Sequence, residues 1–184
     1  IPLAEQIAMH NARSTGVGTA TPVPGFRDGF GDGDIVFVLG GNNDVFIQFG
    51  AVAQGLPPAD AVAAVQTAAT ELAALVKDEI IAKGAKRVVV MTLPDFTVTP
   101  EFSGRLAEQK AFLGQLTEAF NATLLAGLSG SSARTIDLRA AGAAVLANPS
   151  AFGITNATDA AAAAGNNVAV VQQRRMRTPR TRAE

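Results

Sequence analysis

Short runs of aliphatic and β-branched residues alternate with long amphipathic segments in this chain, and this alternation constrains its fold most strongly. Residues 35–39 ("IVFVL") and 86–94 ("KRVVVMTLP") are continuous apolar runs, which is typical of strands buried on both faces of a sheet. Residues 134–138 ("RTIDL") predict a third strand. Because helical sequence follows each run, we predict an α/β protein with a parallel sheet and right-handed crossovers.

The spacing of apolar residues predicts the helices. Residues 58–83 carry an apolar stripe at helical spacing, and Gly84 is expected to end that helix. A second long helix is predicted over residues 103–128, and a short alanine-rich helix is predicted after Leu138. Residues 14–34 are rich in Gly, Pro, Thr and Asp, so they are expected to form a loop.

The composition fits one globular domain over residues 1–184, because 48% of the residues are hydrophobic and can form a core. The net charge of −1 gives no indication of a nucleic-acid partner. Residues 174–184 contain five arginines and are expected to be a solvated basic tail. Just before this tail, residues 166–173 ("NNVAVVQQ") predict a final short strand.

The residue types that are absent exclude several kinds of site. The chain has no cysteine, which excludes disulfides, thiol catalysis and zinc–cysteine centres, and it has one histidine, which excludes a multi-histidine metal site. That residue, His10, falls in a segment with helical spacing and is expected to be a packing or surface residue. No continuous apolar run approaches the length of a membrane span.

A cluster of polar residues follows the first predicted strand, in the sequence "GGNND" at residues 40–44. In open parallel sheets, functional residues lie after the carboxyl ends of the strands. Glycines allow close approach of the backbone to a ligand, and an Asn side chain offers a neutral N–H donor suited to a developing oxyanion. The alternative is an ordinary strand-to-helix turn in which Asn or Asp caps the helix.

Polar residues after the other two strands are expected to be structural. Asp95 is interpreted as a turn residue and Asp137 as the cap of the helix predicted after Leu138. Asn121 and Asn156 match the pattern of a glycosylation acceptor, but ordinary helix and turn roles are favoured for them.

Five stretches of the chain, in order, resemble characteristic segments of the SGNH (GDSL) family of esterases and lipases. In "VLGGNNDVF", Gly41, Asn43 and Asp44 fill the fixed positions of the Gly-x-Asn-Asp block of that family. The other four stretches are "PLAEQIAMH", "RVVVMTLPDFTVTP", "AFNATLLAGL" and "NPSAFGITNATDA". Together they extend over most of the chain, up to about residue 165.

The resemblance implies a three-layer α/β/α domain with a parallel, flavodoxin-like sheet that hydrolyses small-molecule or lipid esters without a cofactor. In that family a serine attacks the ester carbonyl, a histidine activates the serine, and the Asn of the block helps to hold the oxyanion. By residue match, Asn43 would be the oxyanion-hole donor, Gly41 would give access, and Asp44 would support the loop. Family habit and the lack of cysteine favour a secreted bacterial enzyme.

The chain departs from the family pattern in two blocks. It has no Gly-Asp-Ser block to supply the nucleophile and no Asp-x-x-His block to supply the base; where the latter is expected, residues 174–179 read "RRMRTP". The nucleophile and base are therefore not evident in this chain. The resemblance implies that the N-terminal strand of the domain is missing, so we expect a complementing N-terminal segment or chain.

Two other interpretations remain open from the sequence. The absence of both blocks fits a catalytically inactive SGNH-fold fragment or binding module. A flavodoxin-like nucleotide binder could face phosphates with "GGNND", but the spacing fits neither a Gly-x-Gly-x-x-Gly nor a Walker pattern.

Overall fold

The computed structural model describes residues 2–15 and 30–159, which form a mixed α/β unit. Three short strands alternate with helices, as the sequence predicts. The strands are β1 (Val36–Val38), β2 (Val88–Met91) and β3 (Arg134–Ile136). The helices are α1 (Leu3–Thr15), α2 (Asn42–Ala53), α3 (Pro58–Leu75), α4 (Ala107–Leu128) and α5 (Leu138–Ala147). The predicted strand at residues 166–173 and the basic tail at 174–184 lie outside the described residues.

The sheet is parallel, with the strand order β1-β2-β3. Val36 pairs with Val88 at one end of the β1–β2 ladder, and Met91 pairs with Ile136 at one end of the β2–β3 ladder. Both connections move in the same direction across the sheet, and right-handed crossovers of that kind place their helices on the same face. The parallel α/β class predicted from the sequence is therefore confirmed.

The two faces of the sheet differ in burial, and this corrects the expectation that the first strand is fully buried. Val38 on β1 is 3% exposed and faces the helices, whereas Phe37 is 61% exposed and Ile35 is 55% exposed. On the edge strand β3, all three residues are exposed. Within residues 2–15 and 30–159, then, the helices cover one face of the sheet and leave an apolar second face open.

The helix boundaries partly follow the prediction. The helix α3 continues as a π-helical segment, Val76–Ile81, and Gly84 follows in a left-handed conformation with φ +103°, so its expected role as the stop is confirmed. Contrary to the predicted start at residue 103, α4 begins at Ala107. A 3₁₀ turn, Pro100–Phe102, occupies the preceding backbone and Ser103 binds back to its first residue.

The α3 helix, with its π-helical continuation, is long and apolar enough to cross a membrane by length and composition. Within the described residues, however, Ala61, Val65 and Leu72 on this helix are buried in the core cluster. A core helix of a globular domain passes the same test, so this finding is weak evidence for a membrane span.

The helices α3 and α4 pack so closely at one point that α4 has no room for a side chain there. A Cβ added at Gly127 would lie 2.7 Å from Ala73 Cβ, an atom that cannot rotate away. At Gly114 on the same helix, an added Cβ would meet only Thr97 Cγ2 at 3.8 Å, an ordinary contact. Gly127 therefore sets the distance between the two helices, and Gly114 does not.

Gly127→Ala and Gly114→Ala are expected to change the free energy of unfolding in opposite directions. Overpacking at Gly127 should destabilise the protein by about 1–3 kcal/mol. At Gly114 the better helix propensity of alanine should stabilise it by about 0.5–1 kcal/mol. Urea unfolding followed by circular dichroism measures both variants, and equal effects of the two substitutions would contradict the close packing at Gly127.

Candidate functional site

The segment after β1 turns sharply into α2 at Gly41. This residue is the N-cap of α2 and has φ +103°, a conformation that favours glycine. Its backbone rests on the Phe120 ring, because a Cβ added there would lie 2.1 Å from Phe120 Cζ. Two independent constraints, the backbone conformation and the ring, therefore require glycine at this position.

Residues 42–44 form the first turn of α2, so the site expected as a loop is a helix N-terminus. The first intrahelical bond runs from the Val45 N–H to the Gly41 carbonyl, 3.0 Å. The N-cap is Gly41, which has no side chain to cap the turn, so the alternative in which Asn or Asp caps this helix is wrong. The backbone N–H groups of Asn42, Asn43 and Asp44 thus have no intrahelical acceptor and point out of the helix end, where the macrodipole favours negative charge.

This helix N-terminus borders a cleft of about 710 Å³ at the carboxyl end of β1. One wall is the start of α1, since the Leu3 side chain reaches to 3.0 Å from the position of a Cβ on Gly40. The opposite wall belongs to α3, where Leu72 is buried and Glu71 is the ionisable residue that this helix contributes to the lining. Within the described residues, the cleft is lined by Pro2, Leu3, Ala4, Gln6, Leu39, Gly40, Gly41, Asn42, Asn43, Asp44, Ala68, Glu71, Leu72, Leu75 and Phe120.

The three polar side chains of this helix turn differ in burial. Asn42 Oδ1 is buried and has no hydrogen-bond partner within the described chain. Asn43 is exposed at the cleft, and its side chain makes no hydrogen bond with the described residues, so its amide is free to donate. Asp44 is also exposed, and in residues 2–15 and 30–159 its carboxylate makes no bond that would brace a loop. Its negative charge instead lies in the first turn of α2, where it favours the helix.

The carboxyl end of β2 is tied to α4 and to β3 by buried polar groups. Asn121 accepts a hydrogen bond from the Leu93 N–H (2.8 Å) and donates one to the Leu93 carbonyl (3.0 Å). Thr92 donates its N–H to the Ile136 carbonyl at 3.0 Å, and its hydroxyl accepts the Leu138 N–H at 3.1 Å. The sequence identified Asn121 only as a sequon, and its burial confirms the structural interpretation.

Both aspartates bind neighbouring backbone, as expected: Asp95, predicted as a turn residue, caps a 3₁₀ turn, and the predicted cap at Asp137 is confirmed. Asp95 Oδ1 accepts hydrogen bonds from the Thr97 N–H at 2.9 Å and the Thr97 hydroxyl at 2.6 Å. Asp137 Oδ1 accepts the N–H groups of Arg139 and Ala140 at 2.8 and 3.1 Å, at the start of α5. Neither aspartate lines the cleft at β1.

Among the serines whose side chains the structure describes, none lines the cleft. Ser103 and Ser150 use their hydroxyls in local turns, and Ser131 accepts an N–H from Ala133. His10 lies on α1 and stacks on Phe30 with ring centroids 4.8 Å apart, which confirms its expected packing role. Among the residues that the structure describes, no group of three or more His, Cys, Asp or Glu could hold a metal ion.

The fold and the cleft define a parallel α/β protein with a neutral amide and free backbone N–H groups at the carboxyl end of its first described strand. Searches of protein-family models, curated proteins and solved structures found no match.

Proposed function

We propose that this chain is the part of an SGNH-type carboxylic ester hydrolase that carries the oxyanion-hole Asn, with Asn43 as the donor. The observation that carries the proposal is the exposed Asn43 amide, held at the N-terminus of α2 and bordering a cleft at the carboxyl end of a parallel strand. The resemblance of "GNND" at residues 41–44 to the Gly-x-Asn-Asp block agrees with this position.

The chemistry of this helix turn suits the tetrahedral intermediate of acyl transfer. Attack on an ester carbonyl places negative charge on its oxygen, and donors that are already oriented lower the energy of that charge without reorganising. Asn43 offers such a donor, and the uncapped N–H groups of the same turn add positive potential. Apolar side chains such as Leu72 and Leu75 line the same cleft and suit the acyl or alkyl part of a small-molecule or lipid ester.

The nucleophilic serine would come from a complementing N-terminal segment or chain, because the Gly-Asp-Ser block of the family precedes the Gly-x-Asn-Asp block. The basic histidine belongs to a C-terminal block in that family and is assigned to no residue of this chain. Among the residues that the structure describes, no strand pairs with the outer edge of β1 and the Phe37 side of the sheet is exposed, which supports this part of the proposal. The Val36 N–H donates to the carbonyl of Arg87, the residue before β2. Phe37, the next residue of β1, therefore directs its backbone groups to the opposite edge, where no described strand lies. A further strand there, with helices over the Phe37 side, would complete the three-layer α/β/α domain. We propose a secreted enzyme that uses no cofactor and binds no nucleic acid.

Hydrolysis of p-nitrophenyl butyrate, combined with intact-mass measurement and a fluorophosphonate serine probe, tests this function. We expect the 18.8 kDa chain alone to show background turnover and no labelling. A longer native form should hydrolyse the ester and take the label in its additional part. Full, inhibitor-sensitive turnover at 18.8 kDa would contradict an external nucleophile.

The alternative function is a catalytically inactive binding module with the same fold, and the absence of a described serine at the cleft favours it. The same assay separates the two. A longer native form with neither turnover nor labelling would contradict the hydrolase and support the binding module.

A further inference from the structure

We infer that Phe120 on α4 is a positioning residue of the oxyanion site, an inference that rests on the proposed function, and that the next residue, Asn121, holds the adjoining backbone after β2. Each supports the backbone that follows a different strand. Phe120 lies under Gly41 after β1, and Asn121 holds Leu93 after β2. The Phe120 ring has no polar group and the Asn121 amide is bound to Leu93, so each residue acts through the backbone that it supports.

Phe120 determines where α2 begins. Its ring is 1% exposed, and the position of a Cβ on Gly41 lies 2.1 Å from Cζ and 2.6 Å from both Cε atoms. The α-hydrogen of Gly41 that occupies the Cβ direction therefore lies over the face of the ring, above Cζ. The ring therefore determines how closely the Gly41 turn, from which Asn43 projects, can approach α4.

Asn121 determines where the backbone leaves β2. Its side chain is buried at 5% exposure and satisfies both the N–H and the carbonyl of Leu93, a residue with no exposed surface. Leaving these two buried backbone groups without partners would be unfavourable. The contact therefore requires an amide side chain at this position, with both its oxygen and its nitrogen within reach of Leu93. The segment after β2 is thereby held in register with the same helix that supports Gly41.

The rigidity of α4 makes this arrangement suitable for holding a donor in place. Leu116 and Leu124, one turn on either side of the pair, have no exposed surface and anchor the helix in the core. A donor whose helix turn rests on a packed core helix is held more firmly than one on an unsupported loop. Because Phe120 and Asn121 are adjacent, a shift of α4 would move the supports of both strand ends together.

Nuclear magnetic resonance of the chain tests the positioning role without requiring activity. We expect one Gly41 α-proton to be shifted upfield by the Phe120 ring, and the Leu93 amide to be strongly protected from hydrogen exchange. Phe120→Leu should remove the upfield shift and move the amide resonances of residues 41–44. Asn121→Leu should accelerate hydrogen exchange of the Leu93 amide. If that variant does not fold, the resonances of residues 41–44 in Phe120→Leu alone test the positioning role.

Thr117→Val is the matched control, because Thr117 is buried on the same helix but donates its hydroxyl to the Leu113 carbonyl of α4 itself. We expect it to leave the resonances of residues 41–44 unchanged. An unshifted Gly41 α-proton, or equal effects of Phe120→Leu and Thr117→Val on residues 41–44, would overturn the inference.

The ester-hydrolysing form provides the kinetic arm of the test. Phe120→Leu should lower kcat by up to about 100-fold, the loss that a misplacement of about 1 Å can cause, with KM nearly unchanged. A kcat equal to that of Thr117→Val would overturn the positioning role. If no form of the protein hydrolyses esters while the ring shift is present, the proposed function fails and the packing of Phe120 on Gly41 stands.

Discussion

Gly41→Ala is expected to destabilise the protein by about 4 kcal/mol, a large fraction of the stability of a domain of this size. Two effects combine. A non-glycine residue at φ +103° is strained by about 1–3 kcal/mol. The new methyl group would also lie 2.1 Å from Phe120 Cζ, and overpacking of this kind adds about 1–3 kcal/mol. The midpoint of urea unfolding measures the loss.

Gly55→Ala separates the two effects of the Gly41 substitution. Gly55 has φ +105°, and an added Cβ there would meet nothing within 4 Å, so its replacement measures backbone strain alone. We expect Gly55→Ala to cost about 1–3 kcal/mol, less than Gly41→Ala. In the double variant Gly41→Ala/Phe120→Leu, the smaller side chain should relieve part of the steric effect. Equal losses at Gly41 and Gly55 would show that the ring does not press on the turn.

The features of this fold that depend on local sequence were predictable. Continuous aliphatic sequence gave β2 at Val88–Met91, and helical spacing followed by glycine gave the long helix that ends before Gly84. The cap at Asp137 was also predictable, because a short acceptor side chain before a helical segment satisfies N–H groups only one or two residues away. Each of these depends on interactions between residues close in sequence.

The features that depend on distant residues were not predictable. An apolar residue in a strand does not indicate whether a helix covers its face, so Phe37 was expected to be buried although no described helix packs on it. Nor does the sequence around Gly41 indicate that Phe120, far along the chain, lies against it. The helix α2 was considered only as an alternative, because "GGNND" is equally compatible with a loop and with a helix start.

The location of the candidate site was predictable from the sequence, but the prediction of its local structure was partly wrong. The rule for parallel sheets placed it after the first strand, and residues 40–44 do border the cleft there. The expected supporting loop is the first turn of α2, in which Asp44 makes no hydrogen bond with the described residues. Support comes instead from Phe120 beneath Gly41, a contact between two parts of the chain that no local pattern encodes.

Asn43→Ala is expected to reduce kcat of the ester-hydrolysing form by about 100- to 1000-fold, the usual effect of removing one oxyanion-hole donor. KM should change little, because the donor acts on the charge that develops in the transition state rather than on the bound ester. The free energy of unfolding should change by no more than about 0.5 kcal/mol, because Asn43 is exposed and makes no hydrogen bond with the described residues.

Two further variants show whether the Asn43 effect reflects donation of a hydrogen bond. Asn43→Asp keeps the shape of the side chain but replaces the donor with a negative charge, which repels the oxyanion, so its kcat should fall at least as far as that of Asn43→Ala. Gln54→Ala removes an amide at the opposite end of α2, where it only binds the Gly50 carbonyl at 3.4 Å, and should leave kcat unchanged. If Asn43→Ala retained full kcat, another group would have to stabilise the oxyanion, and the proposed role of Asn43 would be wrong.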